Sequence, residues 1–325
     1  MVEWVMDILE YDALLTGCGM LAVNNQEKIA VVGDDAAGFL NGIFSNDILS
    51  LQAGQGCEAA YLTPKGKMLG IIRILASQND QTKVFLLDTD SVSLVSLEEI
   101  FQQYQVGYKV KVIKQTSKLK SLSLIGPATD TVLRQSLDEG TGLPHIAVFS
   151  HEIIQINGIE TRLVRTRWGL ELLFREEDNN KLLDYLTMNI GVVPVQEETW
   201  NVLRVERGLP LYGPDLDDTV IPQEAGLNER LVSFTKGCYV GQETIARLYY
   251  KGKPNRHFRG LKLSASASYG DEIYVGDKKV GALTSVVSSP RFGEIALGFI
   301  RAEVIGGQEV AVDGAKATVI ELPFS

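Results

Sequence analysis

The sequence predicts an α+β fold made of two mixed units followed by a short all-β region. Three observations support this prediction. Strand-like and helix-like segments alternate between residues 28 and 104, the same order recurs between about 118 and 190 without a detectable sequence repeat, and short β segments follow residue 256. We therefore place the units at residues 1–117, 118–255 and 256–325.

The first unit begins with a predicted strand at residues 28–32 and a helix that Asp34 can cap. One face of this helix is apolar and contains Phe39, Leu40, Ile43 and Phe44. Two more strands, at 67–76 and 82–87, precede a second helix. Its apolar residues recur at helical spacing: Leu94, Leu97, Ile100, Phe101 and Tyr104.

The second unit repeats this order, with strands predicted at 147–149, 160–165 and 169–174. A helix follows, whose recurring apolar residues are Leu182, Leu183, Tyr185, Leu186 and Ile190. The next helix has Trp200, Leu203 and Val205 on its apolar side. We expect it to end at Gly208, since glycine is favoured just past a helix and proline, here Pro210, cannot continue one.

The last region contains two hairpin signals. Residues 275–278 include Gly276-Asp277, and residues 312–315 include Asp313-Gly314, a pair suited to the tight turn that matches the twist of two strands. The apolar run at 295–300 is typical of a buried strand. This region therefore consists of short antiparallel strands.

Composition excludes several classes of protein. The chain has 325 residues, of which 45% are hydrophobic and 22% charged, so it is long enough for two or three globular domains and disorder is not expected. A net charge of −10 argues against a protein that coats nucleic acid. No apolar run approaches the roughly eighteen residues of a membrane helix, and the first ten residues lack the basic start of an export signal. We expect a cytoplasmic protein without membrane contact.

The cysteines and histidines do not predict a metal site. The chain contains Cys18, Cys57, Cys238, His145, His151 and His257. The three cysteines are odd in number, widely spaced and without a C-x-x-C pair, so neither a disulfide framework nor an ordinary zinc site is indicated. Three thiols also fall short of the four-cysteine ligand set of an iron–sulfur cluster. The histidines also lack ligand spacing, so we assign no metal.

One pattern resembles a dinucleotide-binding motif. Gly17, Gly19 and Ala22 satisfy a relaxed G-x-G-x-x-A spacing, but residues 11–16 before them are predicted to be helical. Since the motif requires a preceding strand, we reject this interpretation.

The segment Lys236-Gly237-Cys238-Tyr239-Val240-Gly241-Gln242-Glu243 gathers a thiol, a cation, an amide, a carboxylate and two glycines. The glycines can adopt positive φ and let main-chain amides approach a ligand. A helix is predicted to start at Gln242, so Cys238 would lie near Lys236 and a helix N-terminus, both of which favour the thiolate. The alternative is that Cys238 is a small buried hydrophobe. The polar neighbours favour a functional loop.

A basic stretch accompanies this motif and comprises Lys236, Arg247, Lys251, Lys253, Arg256 and Arg259. Such a patch would attract the anionic tail of a ligand. The alternative is an ordinary solvated surface. Direct contact with RNA is not supported, because few aromatic residues are interleaved with the charges.

The octet resembles the K-G-C-[FY]-x-G-Q-E signature of the YgfZ-type folate-binding proteins, relatives of the glycine cleavage T-protein (aminomethyltransferase). Two other segments are similar to that family: residues 29–47 resemble its opening strand and helix, and residues 204–224 the part that leads into its folate pocket. The resemblance covers nearly the whole chain. It implies a GcvT/YgfZ-like fold of two packed α+β units and a C-terminal β-barrel starting near residue 256.

The resemblance also implies a function: a tetrahydrofolate-binding accessory protein of iron–sulfur cluster assembly or repair, which supports tRNA modification indirectly. Its partners would be folate and iron–sulfur proteins or assembly factors. Six residues would bind the folate or a one-carbon derivative of it: Glu206, Tyr212, Gln242, Glu243, Arg247 and Arg256. Glu206 would hold the pterin and Arg247 the anionic part, while Cys238 and Lys236 are candidate catalytic residues.

One departure from the T-protein concerns its pair of aspartates, one of them catalytic, whose positions hold Gly70 and Ile71 here. Without a carboxylate, general acid–base and electrostatic help for the transferred amine is lost. True glycine-cleavage chemistry is therefore not expected. Two alternatives stay open: an aminomethyl- or methyltransferase acting on another amine, and a scaffold whose octet contacts a protein.

Overall fold

A computed structural model describes residues 7–79, 82–137 and 147–325, so His145 lies outside the described residues. Contacts within the chain define two compact units. The first comprises the residues up to Ala59 together with Ile72–Trp200, and the second comprises Ala60–Ile71 together with Asn201–Ser325. The division at residues 117 and 255 stays a prediction.

The elements alternate as an α+β chain does. The strands are β1 (Gly19–Ala22), β2 (Gln26–Val32), β3 (Gly56–Leu62), β4 (Met68–Asn79), β5 (Thr82–Asp90), β6 (Lys111–Lys114), β7 (Leu119–Ile125), β8 (His151–Ile156), β9 (Ile159–Arg165), β10 (Gly169–Arg175), β11 (Val193–Val195), β12 (Arg256–Leu263), β13 (Glu272–Val275), β14 (Lys278–Ser289), β15 (Gly293–Arg301), β16 (Glu309–Val312) and β17 (Ala315–Ile320). The helices are α1 (Ile8–Thr16), α2 (Ala36–Ile43), α3 (Leu94–Tyr104), α4 (Thr129–Ser136), α5 (Asn179–Asp184), α6 (Glu197–Glu206), α7 (Asn228–Leu231) and α8 (Gln242–Lys251). A π-helical turn at Tyr185–Ile190 continues α5.

Two sheets organise the first unit. One has the strand order β3-β4-β5-β2-β6, and the other has the order β11-β1-β7-β10-β9-β8. The second sheet packs on α4 and α5 through buried residues such as Leu133, Leu172 and Leu182. Strand β1, which no sequence pattern indicated, pairs with both β7 and β11, so it completes this sheet from the N-terminal part of the chain.

A buried ion cluster links the two sheets inside the first unit. Arg73 on β4 donates from Nε to Asp88 on β5 at 2.8 Å, and from both terminal nitrogens to Glu171 on β10 at 2.6 and 2.7 Å. Burial alone would lower the pKa of the Arg73 guanidinium, but Asp88 and Glu171 outweigh it and raise that pKa. The charge therefore persists in the core because all three groups are hydrogen-bonded.

Most of the strands and helices predicted for residues 1–200 are confirmed, and two details are wrong. The predicted helix at Leu94 to Tyr104 is α3, and the helical character of residues 11–16 is confirmed by α1. The residue that precedes α2 is Asp35, not Asp34, and the Asp35 carboxylate accepts from the Lys109 amide at 2.8 Å instead of capping the helix. Residues 147–149 form no strand. Phe149 has a φ of 65° because the chain turns there while its ring enters the core.

The C-terminal strands of the second unit form a closed barrel in the order β12-β15-β14-β13-β16-β17. Both predicted hairpins are confirmed, since Val275 pairs with Lys278 and Val312 with Ala315. Asp313 and Gly314 both have positive φ, 44° and 78°, as this tight turn requires. The barrel interior contains fully buried residues such as Leu261, Ile273 and Val319. The fold prediction is thus confirmed: an α+β protein with two sheets and a barrel.

Candidate functional site

The octet leads into α8, as predicted, and it lies within the Asn201–Ser325 part of the second compact unit. Gly241 precedes the helix with a φ of 84°, and a Cβ there would lie 2.6 Å from the Thr63 carbonyl oxygen. On the other side of this contact, a Cβ at Gly66 would lie 3.1 Å from Thr244 Cβ. Two glycines therefore allow the start of α8 to approach the turn at residues 63–67 backbone to backbone. Gly237, in contrast, has a Cβ direction that faces open space and no positive φ.

Cys238 is exposed, so it is not the small buried hydrophobe of the alternative interpretation. The Lys236 ammonium lies 5.1 Å from the centre of the Tyr239 ring, in a cation–π contact. Burial raises the pKa of the Tyr239 phenol to about 12, so this ring stays neutral. The octet thus exposes its thiol to solvent, and the Tyr239 ring holds the cation of Lys236, two residues before the thiol in the chain.

Gly70, one of the two positions that the resemblance matches with the T-protein aspartates, has no room for a side chain. Gly70 is buried, and a Cβ built on it would lie 2.1 Å from the hydroxyl oxygen of Tyr61 and 2.3 Å from its Cζ. Tyr61 is fully buried and therefore has little freedom to move aside. The phenol of Tyr61 occupies the space that any side chain at residue 70 would need.

Tyr212 contacts the same segment of chain. Its hydroxyl donates to the Met68 carbonyl oxygen at 3.2 Å, two residues before Gly70. Burial raises the pKa of Tyr212 to about 12, and the nearby carboxylates of Asp218 and Asp217 act in the same direction. The phenol is therefore a neutral hydrogen-bonding group.

Glu206 ends α6 and is 2% exposed. Its Oε1 accepts from the Ser289 hydroxyl at 2.5 Å, and its Oε2 lies 3.6 Å from Arg291 Nη1. The Ser289 oxygen in turn accepts from the amides of Arg291 and Phe292, both at 3.1 Å. Sequence reasoning missed Ser289 and Arg291, because they come from the hairpin between β14 and β15, more than eighty residues further along the chain.

A second buried carboxylate, Asp215, orders the loop after α6. Arg204 donates to its Oδ2 at 2.8 Å and to the Ser285 hydroxyl at 2.8 Å, while Ser285 and Thr284 donate to Asp215 Oδ1 at 2.7 and 2.6 Å. The Leu211 amide adds a bond of 3.0 Å. This network joins α6, the loop and strand β14.

Arg256 begins the barrel and is held at three points. Its Nη2 donates to the Thr219 carbonyl oxygen at 2.9 Å and lies 3.3 Å from Glu224 Oε2, while the guanidinium lies 4.7 Å from the Phe299 ring centre. It lines two cavities of the second unit, of about 430 Å³ and 700 Å³. The smaller one also contains Asp217 and Thr284.

Three predicted residues lie on α8. Glu243 and Arg247 are exposed, whereas Gln242 is half-buried in the first turn. Close by in sequence, Tyr249 stacks on Phe234 with ring centres 3.7 Å apart, and Tyr250 meets Tyr249 edge-on at 5.0 Å. The helix therefore exposes charge near its start and aromatic rings near its end.

The described ranges contain neither a metal-binding cluster nor a membrane-spanning helix. Within residues 7–79, 82–137 and 147–325, no three His, Cys, Asp or Glu side chains are grouped so that they could hold a metal ion. In the same ranges, no helix has the length and apolar character needed to cross a bilayer.

Comparisons with known proteins agree with this architecture. Residues 5–236 match the model of the GCVT N-terminal domain, and residues 256–325 match the glycine cleavage T-protein C-terminal barrel domain. The fold and site thus define a GcvT-type protein with a separate barrel. The chain belongs to the glycine cleavage T-protein family.

Individual relatives are distant but span almost the whole chain. A chloroplastic protein of Arabidopsis thaliana that is named as a transferase is 28% identical over 96% of this chain and 72% of its own length. An aminomethyltransferase of Thermosynechococcus vestitus is 28% identical, over 97% of this chain and 87% of its own. The crystal structure of the glycine cleavage aminomethyltransferase T of Bartonella henselae superposes with a TM-score of 0.84 at 22% identity, covering 98% of this chain and 89% of that one.

Proposed function

We propose that this chain is a YgfZ-type, tetrahydrofolate-binding member of the family that does not carry out glycine-cleavage aminomethyl transfer. The observation that carries the proposal is the contact between Gly70 and Tyr61. A carboxylate at residue 70 would require the buried phenol to leave, since even a Cβ would lie 2.1 Å from its oxygen. A general acid–base group is therefore missing where the family's transfer chemistry needs one.

The side chains of the second unit suit a folate. Glu206 is an anionic acceptor that already receives the Ser289 hydroxyl and lies 3.6 Å from Arg291, and because a carboxylate can accept several hydrogen bonds, the N–H groups of a pterin ring would share it. Tyr212 and Gln242 add neutral polar groups, and Glu243 can accept a further N–H. Arg247 and Arg256 would receive the carboxylates of the tail, because guanidinium groups pair well with carboxylate.

We also propose that the chain acts in iron–sulfur cluster assembly or repair and thereby affects tRNA modification indirectly. This role is supported by the octet's resemblance to the YgfZ signature and by the exposure of the Cys238 thiol. Such a protein would work in the cytoplasm with iron–sulfur partners and without touching tRNA itself.

Titration with tetrahydrofolate tests folate binding directly. We expect saturable binding to the purified protein and a clear loss of affinity in Glu206→Gln, with Glu152→Gln, an exposed change on β8, as the matched control. No detectable association at high micromolar protein would reject the proposal.

For the cluster role, Cys238→Ser is expected to fail to restore cluster-enzyme activity in a deletion strain. Full restoration would remove the thiol from the mechanism.

The second candidate is an aminomethyl- or methyltransferase acting on another amine, which the names of the relatives favour. Incubation with methylene-tetrahydrofolate and candidate amines separates a transferase from a folate-binding protein that transfers nothing. We expect no transferred one-carbon unit, because residue 70 offers no carboxylate to manage the amine proton. A transferred carbon would make this second function the correct one.

A further inference from the structure

Four cations line one cavity of the second unit. The cavity has a volume of about 700 Å³, and its basic lining residues are Lys67, Lys253, Arg256 and Arg301. Two carboxylates, Glu224 and Glu303, also border it. This concentration of positive charge contrasts with the net charge of −10 of the whole chain.

Neither carboxylate neutralises the cations fully. Glu303 is engaged by Lys278, whose ammonium lies 2.6 Å from it. Glu224 accepts from the Ile221 amide at 3.2 Å and shares its charge with Arg256 at 3.3 Å. Within the described part of the chain, no carboxylate lies within 4.0 Å of Lys67, Lys253 or Arg301.

The barrel itself holds two of these cations together. Arg256 on β12 is the direct cross-strand partner of Arg301 on β15. Like charges in directly opposite positions of a sheet repel each other, and in the protein alone Glu224 beside Arg256 and Glu303 near Arg301 reduce this repulsion. An anion between the two guanidinium groups would reduce it further.

The site is also partly preorganised. Arg256 is fixed by the Thr219 carbonyl oxygen at 2.9 Å and by the Phe299 ring. The Lys67 ammonium donates to the same carbonyl oxygen at 2.6 Å, which keeps its charge at the cavity without neutralising it. Preorganised cations lose less side-chain entropy when a ligand binds.

We propose that this cavity binds an oligoanion, a ligand with two or more phosphate or carboxylate groups close together. Arg256 and Arg301 would clamp one group by forked hydrogen bonds, and Lys67 and Lys253 would attract the next. The ligand is either a free phosphate-type oligoanion or a chain of γ-linked carboxylates. Only the chain of γ-linked carboxylates rests on the proposed folate function, since such a chain can be the tail of tetrahydrofolate.

Calorimetric titration of the full chain with inorganic pyrophosphate and with tri-γ-glutamate tests this proposal. We expect at least one probe to bind with a Kd of about 1 mM or tighter at low salt, and more weakly as salt is raised. Arg301→Gln is expected to weaken that binding about tenfold. Lys316→Gln, an exposed change on barrel strand β17, is the matched control and should leave it unchanged.

The results separate a phosphate ligand from a carboxylate chain, and they also separate the oligoanion site from the proposed folate function. Pyrophosphate binding alone identifies a phosphate ligand, and tri-γ-glutamate binding alone identifies a carboxylate chain. Absence of binding by both probes, or equal binding by Arg301→Gln, overturns the oligoanion site even where tetrahydrofolate itself binds. Conversely, pyrophosphate binding without any folate binding supports the site and rejects the proposed function. A thermal melt checks that Arg301→Gln is folded, which we expect because the Arg301 side chain is exposed.

Discussion

At residue 70 the Tyr61 phenol fills the space that a side chain would need, so substitutions of Gly70 should destabilise the fold. We predict that Gly70→Asp lowers the free energy of unfolding by about 3 kcal/mol or more, because it overpacks the core and buries a carboxylate against a phenol. Urea denaturation measures the loss. Gly38→Asp is the control, since a Cβ at Gly38 has no neighbour within 4 Å. If Gly70→Asp unfolds at the same urea concentration as the unmodified chain, Tyr61 does not block this position.

At residue 151 a buried imidazole makes stability depend on pH. Burial, followed by the Arg162 charge, lowers the pKa of His151 to about 4, and Arg162 Nη1 lies 2.8 Å from its Nδ1. Because the unfolded chain binds this proton with a pKa near 6.5, it holds more protons than the folded chain between about pH 4 and 6.5. Stability therefore rises with pH across that window and is lost on acidification, by about 3 kcal/mol at most.

Melting curves between pH 4 and 7 check this expectation. In His151→Gln the part of the pH dependence that belongs to the imidazole should disappear, while the rest remains. A variant with an unchanged slope in this window would show that His151 already carries a proton in the folded chain.

At the scale of elements, the Arg204 and Asp215 pair fixes α6 and the following loop to strand β14. Both side chains are almost fully buried and hydrogen-bonded. We predict that Arg204→Met or Asp215→Leu lowers the free energy of unfolding by about 3–5 kcal/mol, because each leaves an unpaired charge in the core. The double variant should lose less than the sum of the two. Chemical denaturation of all four proteins measures this, and strictly additive losses would contradict a coupled pair.

The elements also show where sequence patterns succeed. The Asp313-Gly314 and Gly276-Asp277 turns and the start of α8 were predictable, because each depends on a few neighbouring residues. Strand β1 was not, since it forms by pairing with β7 and β11, which lie about 100 and 170 residues away in the chain. The turn at Phe149 was missed for a similar reason: the core position of its ring, not local propensity, sets its backbone.

For the whole molecule, folate binding predicts a change in thermal stability. A ligand that binds only the folded chain stabilises it by about 2.7 kcal/mol at a concentration one hundred times its Kd. We expect tetrahydrofolate to raise the melting temperature accordingly, and to raise it less in Glu206→Gln. A melting temperature that does not change at millimolar tetrahydrofolate would contradict this expectation.

The sequence by itself determined the α+β class, the C-terminal hairpins, the helix after the octet and the absence of a carboxylate at residues 70 and 71, because these depend on residue type and short-range periodicity. The tertiary structure decided the rest. Only folding brings Tyr61 against Gly70, Ser289 against Glu206, and Arg301 opposite Arg256. Such contacts depend on strand pairing and burial across long stretches of chain, and local patterns carry no information about them.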